Sequence, residues 1–229
     1  VNLLPGGRLP GGASGDSDEM VRARREVFDA GCYEPIIAAV AAAVERLGAR
    51  SVLDAGCGEG TYLARACGAG AEGCGVDISK AAVRRAARRY GRQRWAVASS
   101  YRLPFVDGAF DAVVSVFSPR PYAEFRRVLA PGGAAVVVTP GPEHLRGLAE
   151  LLYAEARPHE DDADAPMFES VERVRFTVDL DRPDLRRALL EMTPYWWSAN
   201  PEQRERVERD LRSVEADMVL GVMPRNAEG

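Results

Sequence analysis

The 229-residue sequence predicts an α/β fold: a mostly parallel, seven-stranded sheet with helices on both faces. Three observations predict it. Short apolar segments alternate with helical ones between residues 51 and 140: SVLDAG (51–56), GCGVDI (73–78), WAVAS (95–99), FDAVVSVFS (110–118) and AAVVVTP (134–140). The last two are nearly unbroken runs of valine and alanine, as in a sheet buried on both faces. The first runs into a glycine-rich loop, GCGEG (56–60), and the second ends on an acid, Asp77.

The remaining elements follow in order. Residues 1–16 are rich in glycine and proline without periodicity and read as an arm, mobile or wrapped on. Ser14, Asp16 or Ser17 can cap a helix over 18–30, which Gly31 ends. A second helix, 34–47, lines up Ile36, Ile37, Val40 and Val44 and stops at Gly48. Helices are expected over 59–67, over 79–90 with Ser79 as cap, and over 121–133 up to Pro131 and two glycines. PHEDDADAP (158–166) reads as an acidic loop, VERVRFTVDL (171–180) as a strand, 183–193 and 201–211 as helices, and 215–225 as a final strand. The organisation is an N-terminal arm and helix (1–30) and one domain (31–229), with about 155–215 walling a cleft.

Composition excludes several classes. A net charge of −4 argues against indiscriminate nucleic-acid binding by the whole chain, though not against a local basic face. Lys80 is the sole lysine, so arginine enrichment reflects coding bias and carries little functional weight. The longest apolar run, Ile36 to Val44, is too short to span a bilayer, and the N-terminus lacks a signal-peptide pattern. Cys32, Cys57, Cys67 and Cys74 form no CxxC pair and no metal spacing. They read as reduced, mostly buried thiols, and the expected location is the cytoplasm with no membrane and no metal.

VLDAGCGEGTY (52–62) carries the chemistry. Asp54 closes a strand, and Gly56, Gly58 and Gly60 follow at alternate positions, where glycine lets the chain turn sharply and a ligand approach the backbone. Asp77 lies 19 residues after Gly58, placed to accept both ribose hydroxyls of a nucleoside. A dinucleotide fingerprint needs a glycine at 61, and Thr61 stands there. An acid at 54 suits a ligand bearing an ammonium group, as S-adenosylmethionine does. Together with SSYRLPFVDGAFDAVVS (99–115) and RRVLAPGGAAVVVTPGPEHL (126–145), the loop resembles class I S-adenosylmethionine-dependent methyltransferases, Rossmann-like enzymes. That resemblance implies a cofactor site including Asp54, Gly56, Gly58, Glu59, Gly60, Asp77, Ile78, Ser99, Leu103 and Phe117.

VNLLP (1–5), GDSDEMVRARREVFDAGCYEP (15–35), LDAGCGEG (53–60), ASSYRLPF (98–105), TPGPEHL (139–145) and LLEMTPYWW (189–197) are similar to a narrower family. It is the 23S rRNA guanine-N1 methyltransferases, which include tylosin-resistance enzymes. The resemblance implies methylation of guanine N1 in an rRNA hairpin near the peptide tunnel, with macrolide resistance as its consequence. It adds Tyr33 and His144 to the cofactor site. It also implies a zinc-binding module ahead of VNLLP. The sequence starts at that stretch, so the expectation is a chain without the module, and the family's GHY reads Gly31-Cys32-Tyr33 here.

Phe117-Ser118-Pro119 after the fourth strand lacks the Asn/Asp-Pro-Pro-aromatic signature of exocyclic-amine methyltransferases. No Cys-Pro pair supports a cytosine-C5 mechanism. No catalytic base is identified, and Glu143 and Asp107 read as surface acids. Trp196 and Trp197 fit either a hydrophobic wall or a base-stacking surface. The arginines of 21–26 and 83–94 fit either solvated helix faces or phosphate contacts. His159 reads as a surface residue. The acceptors expected are 23S rRNA or, alternatively, a small natural-product molecule, and a homodimer is left open.

Overall fold

The computed structural model describes residues 1–4, 16–153 and 167–226. Its elements are α1 (Asp18–Asp29), α2 (Glu34–Arg46), β1 (Ser51–Ala55), α3 (Thr61–Cys67), β2 (Glu72–Asp77), α4 (Lys80–Arg89), β3 (Arg94–Val97) and β4 (Phe110–Val116). There follow α5 (Tyr122–Val128), β5 (Leu129–Pro140), α6 (Arg146–Leu152), β6 (Ser170–Asp179), α7 (Pro183–Glu191), α8 (Tyr195–Ser198), α9 (Pro201–Asp210) and β7 (Ser213–Pro224).

Local chemistry sets many of these boundaries. The Ser17 hydroxyl accepts the Met20 amide at 3.2 Å and starts α1, and Ser79 does the same for Ala82 at 3.3 Å ahead of α4. Asn200 and Gln203 form a reciprocal capping box on α9, with Pro201 at the first helical position. Val40 and Val44 of α2 are buried with Ile36 and Ile37, so the apolar stripe read from the sequence is the face that packs.

The strands run in the order β3-β2-β1-β4-β5-β7-β6. β1 pairs in parallel with β2 and β4, β2 with β3, and β4 with β5. β7 lies antiparallel between β5 and β6. The chain therefore moves outward from β1 to β3 and returns to β4, and a crevice opens at the carboxyl ends of β1 and β4 where the order reverses. One face of the sheet packs against residues of α1, α2, α3, α4, α6, α7 and α9. The other packs against α5, parts of segment 98–109, and Met167 and Phe168.

Several expectations need correction. The helix expected over 121–133 ends at Val128, because Leu129 turns extended with ψ 135° and the chain is strand from there to Pro140. Helices α6 and α8 were not expected; both are short, and α6 starts from Leu145 in a left-handed conformation. Of the two readings of the N-terminal arm, its described start fits the wrapped-on one: Asn2 bridges Val97, Leu3 donates to the Val97 carbonyl at 2.8 Å, and the edge of β3 is covered, while residues 5–15 lie outside the described residues. The cysteines are unpaired, with Cys57 and Cys67 buried and Cys32 and Cys74 partly so. The acidic loop at 158–166 and His159 lie outside the described residues. No single helix among the described residues is long and apolar enough to cross a membrane, and none of their side chains cluster as a metal site.

Candidate cofactor and acceptor site

The loop after β1 is bound to the end of β2. Gly56 and Cys57 both donate to the Val76 carbonyl, at 2.8 and 2.9 Å. Asp77 accepts the Gly58 amide at 2.9 Å and the Ser79 amide at 2.8 Å through its two oxygens. Thus Asp54, Gly56, Gly58, Glu59, Gly60 and Asp77 are brought together, as the spacing predicted. The glycines have distinct reasons to be glycine. A Cβ on Gly56 would meet the Ser118 hydroxyl at 2.1 Å, and one on Gly60 would meet the Trp95 ring at 2.3 Å, both with φ near +90°. Gly58 instead faces the Arg24 guanidinium, 3.4 Å from where its Cβ would lie.

Asp54 is buried, and one of its carboxylate oxygens has no hydrogen-bond partner. Burial, reinforced by the nearby Asp77 charge, raises its carboxyl from 3.8 to about 8. The Tyr62 hydroxyl is also buried without a partner, and burial pushes it well above its ordinary value. Unsatisfied buried polar atoms are rare in folded chains and call for an explanation. An ammonium or hydroxyl group placed beside them would satisfy both, so these residues fit S-adenosylmethionine. Tyr62 escaped the sequence reading because it reads as an ordinary helix-packing aromatic; its position directly after the glycine loop was the available signal.

Helix α1 lies across the loop. Arg25 pairs with the buried Glu59 at 2.6 Å, and Glu59 also accepts the Thr61 hydroxyl at 3.0 Å. Arg24 pairs with Asp16. The arginines of 21–26 are therefore partly consumed by the site itself. Arg85 and Arg89 of α4 pair with Asp18 and Asp29 of α1, so that face is less solvated than the sequence suggested. Tyr33 is buried where α2 begins, its ring against Phe28 and Phe176 at 5.5 and 5.9 Å. Its placement is that of a packed ring next to Tyr62 rather than an open lid.

Ser99 and Leu103 follow β3, where Ala98 donates to the Asp77 carbonyl at 3.0 Å. Ser99 accepts the Tyr101 amide at 3.2 Å, and the Leu103 amide donates to Glu124 at 2.7 Å. Ile78 is half-buried beside Asp77. Phe117 and His144 form a second group at the ends of β4 and β5. Their rings stack at 5.3 Å and 30°, and Phe117 is 45% exposed with φ +49°. The next residue, Ser118, donates to the Ala55 carbonyl at 2.7 Å and abuts Gly56, so the two groups are contiguous.

His144 Nδ1 accepts the Asp217 amide at 3.3 Å, which places the proton of a neutral ring on Nε2. Asp217 was missed in the sequence, although an acid inside the apolar run ADMVLGV was a signal. It is fully buried, holds Arg173 through two bonds of 2.7 and 2.6 Å and Arg175 at 3.1 Å, and accepts the Glu143 amide at 3.0 Å. These contacts hold its carboxyl well below the usual carboxylate range. Glu143 and Asp107 are surface acids as expected, paired with Arg146 and Arg127. Trp196 packs under the Arg204 guanidinium at 4.0 Å, while Trp197 is exposed.

Comparison with known proteins agrees with this geometry. Residues 52–133 match the family described as a methyltransferase domain. Among solved structures, the YcgJ protein of Bacillus subtilis gives a TM-score of 0.57 at 18% identity, covering 83% of this chain and 98% of its own. A geranyl diphosphate methyltransferase determined in complex with S-adenosylmethionine gives 0.52 at 21% identity, covering 93% of both chains. These show the class I methyltransferase fold. The 23S rRNA (guanine(748)-N(1))-methyltransferase of Streptomyces fradiae is 39% identical over 93% of this chain and 80% of its own length. A relative in Bacillus subtilis (strain 168), provisionally named for the same guanine-N1 chemistry, is 34% identical over 89% of this chain and 79% of its own. The chain is an S-adenosylmethionine-dependent methyltransferase and belongs to the 23S rRNA (guanine-N1)-methyltransferase family.

Proposed function

We propose that this enzyme methylates N1 of a guanine in 23S rRNA, in the cytoplasm, and that the modification protects the ribosome from a macrolide. One observation carries the reading: 39% identity to the Streptomyces fradiae enzyme over 93% of the chain, well beyond the residues 52–133 shared with methyltransferase domains in general.

S-adenosylmethionine supplies an electrophilic methyl group on a sulfonium. Asp77 is placed for the ribose hydroxyls and Asp54 for the amino group, with the amides of Gly56, Gly58 and Gly60, the Glu59 segment, Tyr33, Ile78, Ser99, Leu103, Phe117 and His144 completing the enclosure. Transfer to N1 is an in-line displacement, so the protein's task is alignment and exclusion of water. The guanine N1 proton must leave. His144 Nδ1 already accepts the Asp217 amide, so the proton passes to water rather than to that nitrogen. Phe117, exposed at the mouth, offers a ring for a planar acceptor.

The test is transfer of labelled methyl groups to unmodified 23S rRNA, followed by mapping. N1-methylation blocks the pairing edge of guanine, so reverse transcription should stop at one position. Incorporation should vanish in Asp77→Ala. An enzyme that binds the cofactor tightly but labels no rRNA would overturn the RNA reading and favour a small-molecule acceptor.

A further inference from the structure

The methionine portion of S-adenosylmethionine carries an ammonium and a carboxylate on one carbon. Asp54 is placed for the first, but no acid, glycine amide or ring of the site supplies a cation for the second. The carboxylate must lie close to the ammonium, in a site lined by Asp54 and Asp77. Burying a further negative charge there without a positive partner is costly.

Arg24 of α1 stands at that place. Its Nη1 lies 3.4 Å from where a Cβ on Gly58 would be, and Gly58 is the loop glycine whose amide donates to Asp77. The Arg24 charge bears on Asp77, Tyr33 and Tyr62 alike, offsetting part of the rise that burial imposes on each. Tyr62 also feels the Asp54 carboxylate, so Arg24 and Asp54 both lie near one buried hydroxyl that has no partner.

The guanidinium is anchored yet keeps donors to give. It pairs with the Asp16 carboxylate through Nη1, and the Asp16 carbonyl accepts the Ser79 hydroxyl at 2.9 Å, at the cap of α4. Among the described residues Asp16 is its one hydrogen-bond partner, and that bond uses one of five N–H donors. Asp16 thus balances the charge of Arg24 without filling its fork, and the remaining nitrogens suit a second carboxylate. Arg25 is placed differently. It is bound to the buried Glu59 at 2.6 Å, and that acid also accepts the Thr61 hydroxyl.

We infer that Arg24 binds the carboxylate of S-adenosylmethionine and so selects for cofactors that carry one. The bond to Asp16 holds the guanidinium beside the glycine loop before the ligand arrives, so little freedom is lost on binding. The inference concerns the cofactor and does not depend on the RNA acceptor.

The test is binding, measured by calorimetry, of S-adenosylmethionine and of its decarboxylated analogue, which keeps the adenosine, the sulfonium and the amine. The proteins are the wild type, Arg24→Gln, Arg24→Lys and Arg25→Gln. The wild type should prefer the intact cofactor by roughly tenfold or more, the worth of a charge-assisted bond. Arg24→Gln should weaken the intact cofactor by that factor and leave the Kd of the analogue nearly unchanged, so that the preference disappears. Arg24→Lys should recover part of it, and Arg25→Gln should retain it. Thermal unfolding without ligand checks that each variant is folded, and Arg24→Lys carries the comparison if Arg24→Gln is not. A wild type without the preference, or an Arg24→Gln that keeps it or weakens both ligands equally, overturns the inference. Loss of the preference in Arg25→Gln alone overturns it too and moves the carboxylate to that residue.

Discussion

Gly60 and Trp95 share one space: the indole edge lies 2.3 Å from where a Cβ on Gly60 would be, and the same ring closes on Gly75 at 2.4 Å. The glycine loop is thus shaped by the indole of β3 packed against it. Gly60→Ala must displace the ring and hold φ +89° with a side chain. The expected cost is about 3 kcal/mol, combining overpacking and left-handed strain. Thermal unfolding of the ligand-free protein checks it.

Gly56 presses on Ser118 in the same manner, at 2.1 Å. Gly56→Ala should destabilise the chain, and the Gly56→Ala, Ser118→Gly double variant should recover part of the loss. A double-mutant cycle should give a coupling of about 1 kcal/mol or more. Simple additivity would mean that the φ of +93° alone sets the cost.

Asp54 makes the ligand-free protein sensitive to pH. Between about 4 and 8 the folded chain keeps a proton that the unfolded chain has lost, because its carboxyl is raised from 3.8 to about 8. The stabilisation is complete below the lower value and is lost as pH rises through the upper one. Asp54→Asn should flatten this profile in denaturant titrations. Binding an ammonium-bearing cofactor should ionise Asp54, so calorimetry near pH 7 in buffers of different ionisation enthalpy should detect release of a proton. The Asn variant should release none.

Phe117 holds φ +49°, a conformation that bulky side chains avoid. Phe117→Gly should be more stable than Phe117→Ala by roughly 0.5–1 kcal/mol, since glycine relieves the strain. Both should lose methyl transfer, by roughly tenfold if the ring is worth about 1.4 kcal/mol at the transition state. Equal stability of the two variants would show that no strain is stored there.

Much of this was readable in the sequence because it is local. The loop at 56–60 and Asp77 announce themselves by spacing, and Ser17 and Ser79 cap the helices their positions suggested. The boundary at Val128 was misplaced because Leu129 already pairs with Phe110 of β4, and residues 130–133, with Gly132 at φ +80°, form a register irregularity before Ala134 pairs with Ala112. Asp217 and Tyr62 were missed for a related reason. Their significance lies in partners over 40 residues away or in an absent partner, and neither leaves a periodic trace. The arginines of α1 were ambiguous because the same residue can bind solvent, phosphate or, as with Arg25, a buried glutamate.

Helix α1 touches both halves of the molecule. Through Arg25 it holds Glu59 in the glycine loop, and through Arg22 it reaches Glu191 at the end of α7, with Met20 against the Trp197 indole. Helix α1 therefore bridges the glycine loop and the segment carrying α7 and α8. A ligand that shifts α1 would thereby couple the two binding equilibria. Reciprocity then requires the acceptor to change cofactor affinity by the same factor that the cofactor changes acceptor affinity.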